Sequence, residues 1–436
     1  MISKITRNIL LLFCTISFCI MIVNGCSISP SNETKKHVTI LYKSIPDFER
    51  DFDGLKQHFN NIEIEVVEYE SVLGKGMWDN FELVPQSGDD WNADAFINLI
   101  KKDKPDIIFF PRLLFSRLRE EGILYDISSF SYEPEIQRID PLILDTVREM
   151  GDGKLYAISN LIATQALYYN KQLFQKYEMT EPVSLMNWED VLKLGNSISK
   201  IGSSDGIVGL QTANYDNVEL FLQIGKSKGL TWYDPIHQRA LFASEEWKSA
   251  LALIVDKYKS EVNSDKELGS FEDGHIAMAI DTYRLKDNIK QSNPDLDWNL
   301  VTAPVTHYDP NKSTAITFDY LNGINQEAKD ISSAKEVWLY LNSRTMAQKR
   351  FYTSYFRFTV PVFEGIVKDD QKNVQAFYQV KPEISKDTSL PNKAMVEVKR
   401  YLDQDIKKIV SGDLSIDETV KSWDTEIPNI ILKYQE

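Results

Sequence analysis

Pro105-Asp106-Ile107-Ile108-Phe109-Phe110-Pro111 holds four large apolar residues in a row between two prolines. An unbroken apolar run of this length is what a strand covered on both faces looks like, and Pro111 stops it. Working backward, Ala93 to Lys101 has helical spacing, and Ile62-Glu63-Ile64-Glu65-Val66-Val67 alternates as a strand does. Before it, Phe48, Phe52, Leu55 and Phe59 predict one helix over 47–59, and His37-Val38-Thr39-Ile40-Leu41-Tyr42 predicts the first strand. The order β-α-β-α-β implies an open α/β sheet, which binds ligands beyond the carboxyl ends of its strands. Gly74 to Asp90 reads as an irregular loop.

Working forward, strands mix with long helices. Asn187 is placed to cap a helix that opens at Trp188, and Glu245–Tyr258, Ile331–Asn342 and Met395–Ile409 read as helices. Ile416–Tyr434 reads as a closing helix broken by Pro428. No short repeat appears.

The other end of the chain addresses it. Lys4 and Arg7 precede an apolar stretch from Ile9 to Val23, then Val23-Asn24-Gly25-Cys26 and a polar Ser/Asn run. This is the order of a secretory signal, and 15 residues fall short of the roughly 20 a spanning helix needs. A small residue before Cys26 resembles the lipobox of bacterial lipoproteins, with Asn24 standing where that pattern has a small or hydroxyl residue. The resemblance implies a signal peptide over 1–25, a lipidated Cys26 (diacylglycerol and palmitate chemistry) and a tether over 26–36. An uncleaved N-terminal anchor is the other reading. In both, the chain works outside the cell and is held to a membrane.

Cysteine use fits export. The three cysteines are Cys14, Cys19 and Cys26, so after cleavage no disulfide, thiol nucleophile or Cys-ligated metal is available. The net charge is −15, and loss of Lys4 and Arg7 takes it to −17. No basic run exceeds two residues, which argues against nucleic acid as a partner. The five histidines, His37, His58, His237, His275 and His307, never stand at metal-binding spacing, and no P-loop, GxGxxG, EF-hand or nucleophile motif occurs. We therefore expect no cofactor, no metal and no enzyme activity. An aromatic content of 11% suits sugar faces as well as cores.

Several segments, in order, resemble one family. Lys104 to Phe110 is similar to its "PDI" strand. Arg119-Glu-Glu-Gly-Ile-Leu-Tyr-Asp126 is similar to its "G-x-L-x-D/E-L" segment. Gly153-Lys-Leu-Tyr-Ala-Ile158 with Leu167-Tyr-Tyr-Asn-Lys-Gln-Leu-Phe174 is similar to "GK-x-YG-x-P … YNKDLF". Pro182 with Asn187-Trp-Glu-Asp190, Phe271-Glu-Asp-Gly-His-Ile-Ala-Met-Ala-Ile280, Asp297 to Pro304, and Gly323 to Lys329 with Ala334 to Trp338 complete the match over 38–345. The chain resembles the bacterial extracellular solute-binding proteins of family 1, the maltose-binding-protein-like lipoproteins of sugar ABC importers.

That resemblance implies a type II periplasmic-binding-protein fold: two α/β lobes, a hinge and an interlobe cleft. Lobe 1 is expected over 37–162 and 316–358, lobe 2 over 163–315 and 359–436. The crossings would fall near Ile158–Thr164, Ala315–Phe318 and Phe356–Val360. The implied role is capture of a mono- or oligosaccharide by lobe closure and delivery to a membrane permease, with the protein a monomer. A sensor of the same fold, or a polyamine or other non-sugar binder, is the alternative.

Candidate ligand contacts follow. Asp281, Tyr283 and Arg284 follow the Ala277-Met278 motif, where the family presents an aromatic to its ligand. Asn160, Thr164 and Gln165 lie at the first crossing. Phe110 and Arg112 end a strand where the cleft is expected, and Arg112 suits carboxylates or paired hydroxyls. Tyr215 lies in a segment that relatives bring to the cleft, and Trp232 follows a turn at Gly229. Phe356 and Arg357 stand at the last crossing. Trp78 and Trp91 flank the long loop and read as loop packing ahead of a lid.

Overall fold

The computed structural model describes residues 35–73, 93–212, 215–262, 269–318, 320–353, 358–369, 371–384 and 392–434. The chain enters with strands β1 (Lys36–Tyr42), β2 (Ile62–Glu68) and β3 (Ile107–Pro111), then crosses as β4 (Leu161–Thr164). It continues through β5 (Ala166–Asn170), β6 (Val208–Thr212), the hairpin β7 (Tyr233–Asp234) and β8 (Arg239–Ala240), and β9 (Ile276–Asp281). After β10 (Trp298–Thr302) and β11 (Lys312–Ser313) it returns as β12 (Ile316–Thr317) to β13 (Tyr320–Ile324). It leaves again as β14 (Thr359–Pro361) and β15 (Lys381–Pro382).

The first sheet has the order β13-β3-β1-β2, with β1 parallel to both β2 and β3 and β13 antiparallel to β3. Asp106, nearly inaccessible, fixes its centre. One carboxylate oxygen accepts from Thr39 N–H and the other from Lys329 N–H, both at 2.8 Å. A buried carboxylate held by two backbone donors explains why an acid can precede the apolar run. The helical spacing over 47–59 gives two helices, Ile45–Asp51 and Leu55–His58, because Gly54 turns left-handed at φ +82° between them. Phe48, Phe52, Leu55 and Phe59 nonetheless all reach the core.

The second sheet has the order β10-β5-β9-β6. Asn187 caps the helix Trp188–Ile201 by accepting from Asp190 N–H. That helix lies so close to β6 that a Cβ at Gly209 would meet Gly195 O at 1.8 Å. Helices Asn217–Ser227, Glu245–Val262, Asn392–Ser411 and Ile416–Leu432 complete this body. The last helix runs through Pro428 instead of breaking there. Trp423, Ile427 and Ile431 form one fully buried stripe, and its burial outweighs the one hydrogen bond that proline forfeits.

A third sheet, β12-β4-β14, joins the two bodies. Ile316 pairs with Thr164 and Thr359 with Ala163, so three separate stretches of chain lie side by side here. Val362 and Phe363 pair with Asp140 and Ile139 of the first body, Lys372 and Asn373 bond to β10 of the second sheet, and Ala394 to Ile431 belong to the second core.

Candidate functional site

The hinge strands lead directly into both main sheets. One residue, Gln165, separates β4 from β5, and β13 follows β12 closely. Tyr320 of β13 lies opposite Pro111, and Ala166 of β5 lies opposite both Asp281 and Thr302. The hinge therefore adjoins the ends of β1 and β3 on the first sheet and of β6, β9 and β10 on the second. In an open α/β sheet these are the ligand-binding ends.

Gln165 is the residue the structure marks most clearly. It is fully buried, and neither its Nε2 nor its Oε1 has a hydrogen-bond partner among the described residues. A buried amide left unpaired is costly, so a native fold retains one only for a reason. An amide offers donors and acceptors together, which matches a hydroxyl or another group of mixed character. The adjoining Thr164 is also fully buried, and among the described residues its hydroxyl makes only long contacts, 3.4 Å to Gln165 O and 3.5 Å to Phe377 O.

Asp281 ends β9. Its Oδ1 accepts from Thr282 N–H at 2.6 Å and from the Thr282 hydroxyl at 3.2 Å. Burial pushes its carboxyl up to about 6, against the two Thr282 bonds, with the negative charge of Glu272 adding to the rise and Arg284 opposing it. Tyr283 is buried, with its ring edge-on to Phe351 at 5.3 Å and to Phe377 at 5.8 Å. Its hydroxyl accepts from Lys286, which in turn pairs with Asp369 at 2.5 Å. Arg284 lies over the Phe358 ring, 5.6 Å from its centroid. These residues tie the second sheet to the helix Arg344–Thr353 and to the start of β14.

Phe110 is fully buried within the first core, whereas Arg112, in the turn that follows β3, is half-buried. Asn160 is engaged behind the hinge: it donates to Leu341 O at 2.7 Å and accepts from Arg350 at 2.7 Å. Tyr215 packs edge-on to Trp188, and burial raises its phenol well above the usual value. Trp232 lies away from the strand ends, stacked on Phe242 beside the β7–β8 hairpin. Phe356, Arg357, Trp78, Trp91 and Cys26 lie outside the described residues. The structure thus brings Phe110, Arg112, Thr164, Gln165, Tyr215, Asp281, Tyr283 and Arg284 to the two sets of strand ends, and leaves Asn160 and Trp232 elsewhere.

Sequence reasoning missed Lys43-Ser44-Ile45 at the end of β1. Ser44 caps the helix Ile45–Asp51 by accepting from Asp47 N–H, and Ile45 stays 40% exposed where strand becomes helix. The Ser-Ile-Pro signature of a capped helix start just past a strand was available as the signal. Among the described residues no group of His, Cys, Asp and Glu is disposed to hold a metal ion, and no helix is long and apolar enough to cross a membrane.

Known proteins share this fold. A family 1 extracellular solute-binding protein from Alicyclobacillus acidocaldarius superposes with a TM-score of 0.62 at 14% identity, covering 91% of this chain and 98% of that one. The sugar-binding protein MalE from Xanthomonas citri gives 0.60 at 13% identity, covering 92% and 98%. The fold is accordingly that of the type II periplasmic binding proteins. A binding protein of Brucella abortus is 25% identical over 161 residues, 35% of this chain, so the chain spans only 38% of the length of that curated relative. Residues 55–382 match the family described as bacterial extracellular solute-binding protein, and the chain belongs to that family.

Proposed function

We propose that this chain is the substrate-binding lipoprotein of an ABC importer. It captures an extracellular mono- or oligosaccharide by closing two lobes, 37–162 with 316–358 and 163–315 with 359–436, and delivers it to the membrane permease without turning it over. The observation that carries the reading is Gln165: a fully buried amide, unpartnered at both atoms among the described residues, at the junction of hinge and second sheet. Thr164, Arg112, Asp281 and Arg284, at the strand ends beside the hinge, are the further polar groups we assign to such a site. The sugar-binding MalE of Xanthomonas citri, which shares the fold, supports the solute class. Tethering through Cys26 would keep the protein at the membrane where the permease lies.

Thermal unfolding of the full-length protein against panels of saccharides, polyamines and metal ions tests this. A ligand that binds only the folded state adds about 2.7 kcal/mol at one hundred times its dissociation constant. A raised midpoint with one saccharide class is expected. A rise confined to polyamines or metal ions would overturn the sugar assignment, and silence across the panel would favour a sensor role.

A further inference from the structure

Glu149 stands in the last turn of the helix Pro141–Met150, which precedes the first hinge strand. Its Oε1 accepts from Lys381 Nζ, and its Oε2 accepts from Lys312 Nζ at 3.4 Å. Both lysines stand on the parallel pair β11–β15. That pair is fastened to the other body. Ser313 Oγ donates to Pro304 O at 2.7 Å, and the adjacent Thr314 hydroxyl accepts from Trp188 Nε1 at 3.1 Å, inside the second core. Glu383, 8% exposed, lies 3.8 Å from Lys312 and keeps that ammonium between two carboxylates.

Along the chain, Glu149 reaches Lys312 only by way of β4, and Lys381 leaves the first body after Phe363, which pairs with Ile139, through Lys372 and Asn373, which bond to β10. The cluster is therefore a cross-link outside the hinge strands. Rotation of one body against the other must lengthen or shift it. Lys312 and Lys381 are 22% and 15% exposed and Glu149 46%, so the lysine ends are sheltered while the carboxylate stays open to solvent and salt.

We propose that Glu149, Lys312 and Lys381 form an ionic clasp that holds the interlobe angle of the unliganded protein. The inference rests on the two-lobe division and not on the identity of the solute. A ligand moves the lobes only by its differential affinity for the two arrangements. A clasp that stabilises one of them sets solute affinity from a place the solute never touches.

The test needs no ligand. Ketone-bearing residues at Lys102 and Lys200, both exposed, carry spin labels in the full-length protein and leave the native cysteines alone. Pulsed electron resonance then reads the distance between the lobes. The wild type is expected to show the separation of the structure, Glu149→Gln to move or broaden the distribution, and Glu149→Lys to move it further, because repulsion replaces attraction. Lys381→Gln should reproduce the Glu149→Gln result, and it serves as the reading if the Glu149 variants do not fold. Superimposable wild-type and variant distributions would overturn the clasp. So would equal shifts for Gln and Lys at position 149, which would mean that packing rather than charge is responsible.

Discussion

Ala166 and Asp281 stand directly opposite each other across β5 and β9, which directs the Asp281 carboxylate to the side of the sheet that carries Tyr168. The negative charge of Asp281 indeed adds to the rise of the Tyr168 phenol, whose main cause is burial. Gln165, one residue earlier, lies in the bend between β4 and β5. The two polar residues therefore serve the site differently: the amide is unpaired among the described residues, and the carboxyl carries a charge that burial opposes.

The Asp281 carboxyl, raised to about 6, makes stability depend on pH. Between its unfolded value of 3.8 and about 6 the folded state holds a proton that the unfolded state releases. Stability is then highest below that window and falls as pH rises through it, by about 3 kcal/mol in all for a shift of roughly two units. Asp281→Asn should flatten this fall. Denaturant unfolding of both proteins at several pH values checks it, and parallel curves from pH 4 to pH 6.5, about the window set by the two values, would refute it.

Gln165→Met should separate stability from binding. Methionine has nearly the same shape and removes two unsatisfied polar atoms, so the unliganded protein should gain about 1–3 kcal/mol. The same change removes the groups proposed to meet the solute. The expected result is a higher midpoint without ligand and a lost or much reduced ligand-induced rise. A lower midpoint would mean that the amide is satisfied in solution, and an intact ligand response would remove Gln165 from the site.

Much of the fold was legible. The apolar run Ile107–Phe110, the alternation over 62–67 and the Asn187 cap are local signals, and each became the element it predicted. The break at Gly54 and the continuity through Pro428 were not, because the first depends on a left-handed turn and the second on what covers the helix. The site divides in the same way. Thr164 and Gln165 could be placed from the motif that follows them. A sequence displays aromatic rings but not what lies against their faces: Tyr283 meets Phe351 and Phe377, some 70 and 90 residues further along.

Trp232→Ala should cost stability and spare binding. Its ring stacks on Phe242 at 5.9 Å, and Phe242 packs in turn against Trp247 and Trp423. Removing a partly buried indole from this stack should cost roughly 2–4 kcal/mol. Once a stabilising solute is known, its midpoint rise should be the same in the variant as in the wild type. A loss of that rise with the fold intact would bring Trp232 into the site.

Gly225 sets two effects of opposite sign against each other. It lies inside the helix Asn217–Ser227, where alanine would gain about 1 kcal/mol of helix propensity. The Trp247 ring lies against it, however, and a Cβ would come within 1.9 Å of Trp247 Cη2 and 2.3 Å of Cζ3. That ring cannot easily retreat, since Phe221 and Phe242 meet it edge-on at 4.9 and 5.0 Å and it is almost wholly buried. Overpacking of this kind costs roughly 1–3 kcal/mol or more when backbone must shift. Gly225→Ala should therefore lower the unfolding midpoint despite its better propensity. Trp247→Phe in the same chain should recover part of the loss, because a smaller ring leaves room for the methyl group. A Gly225→Ala protein as stable as wild type would show that the helix Asn217–Ser227 can slide away from Trp247, and that the packing of the second body is looser than its buried tryptophans imply.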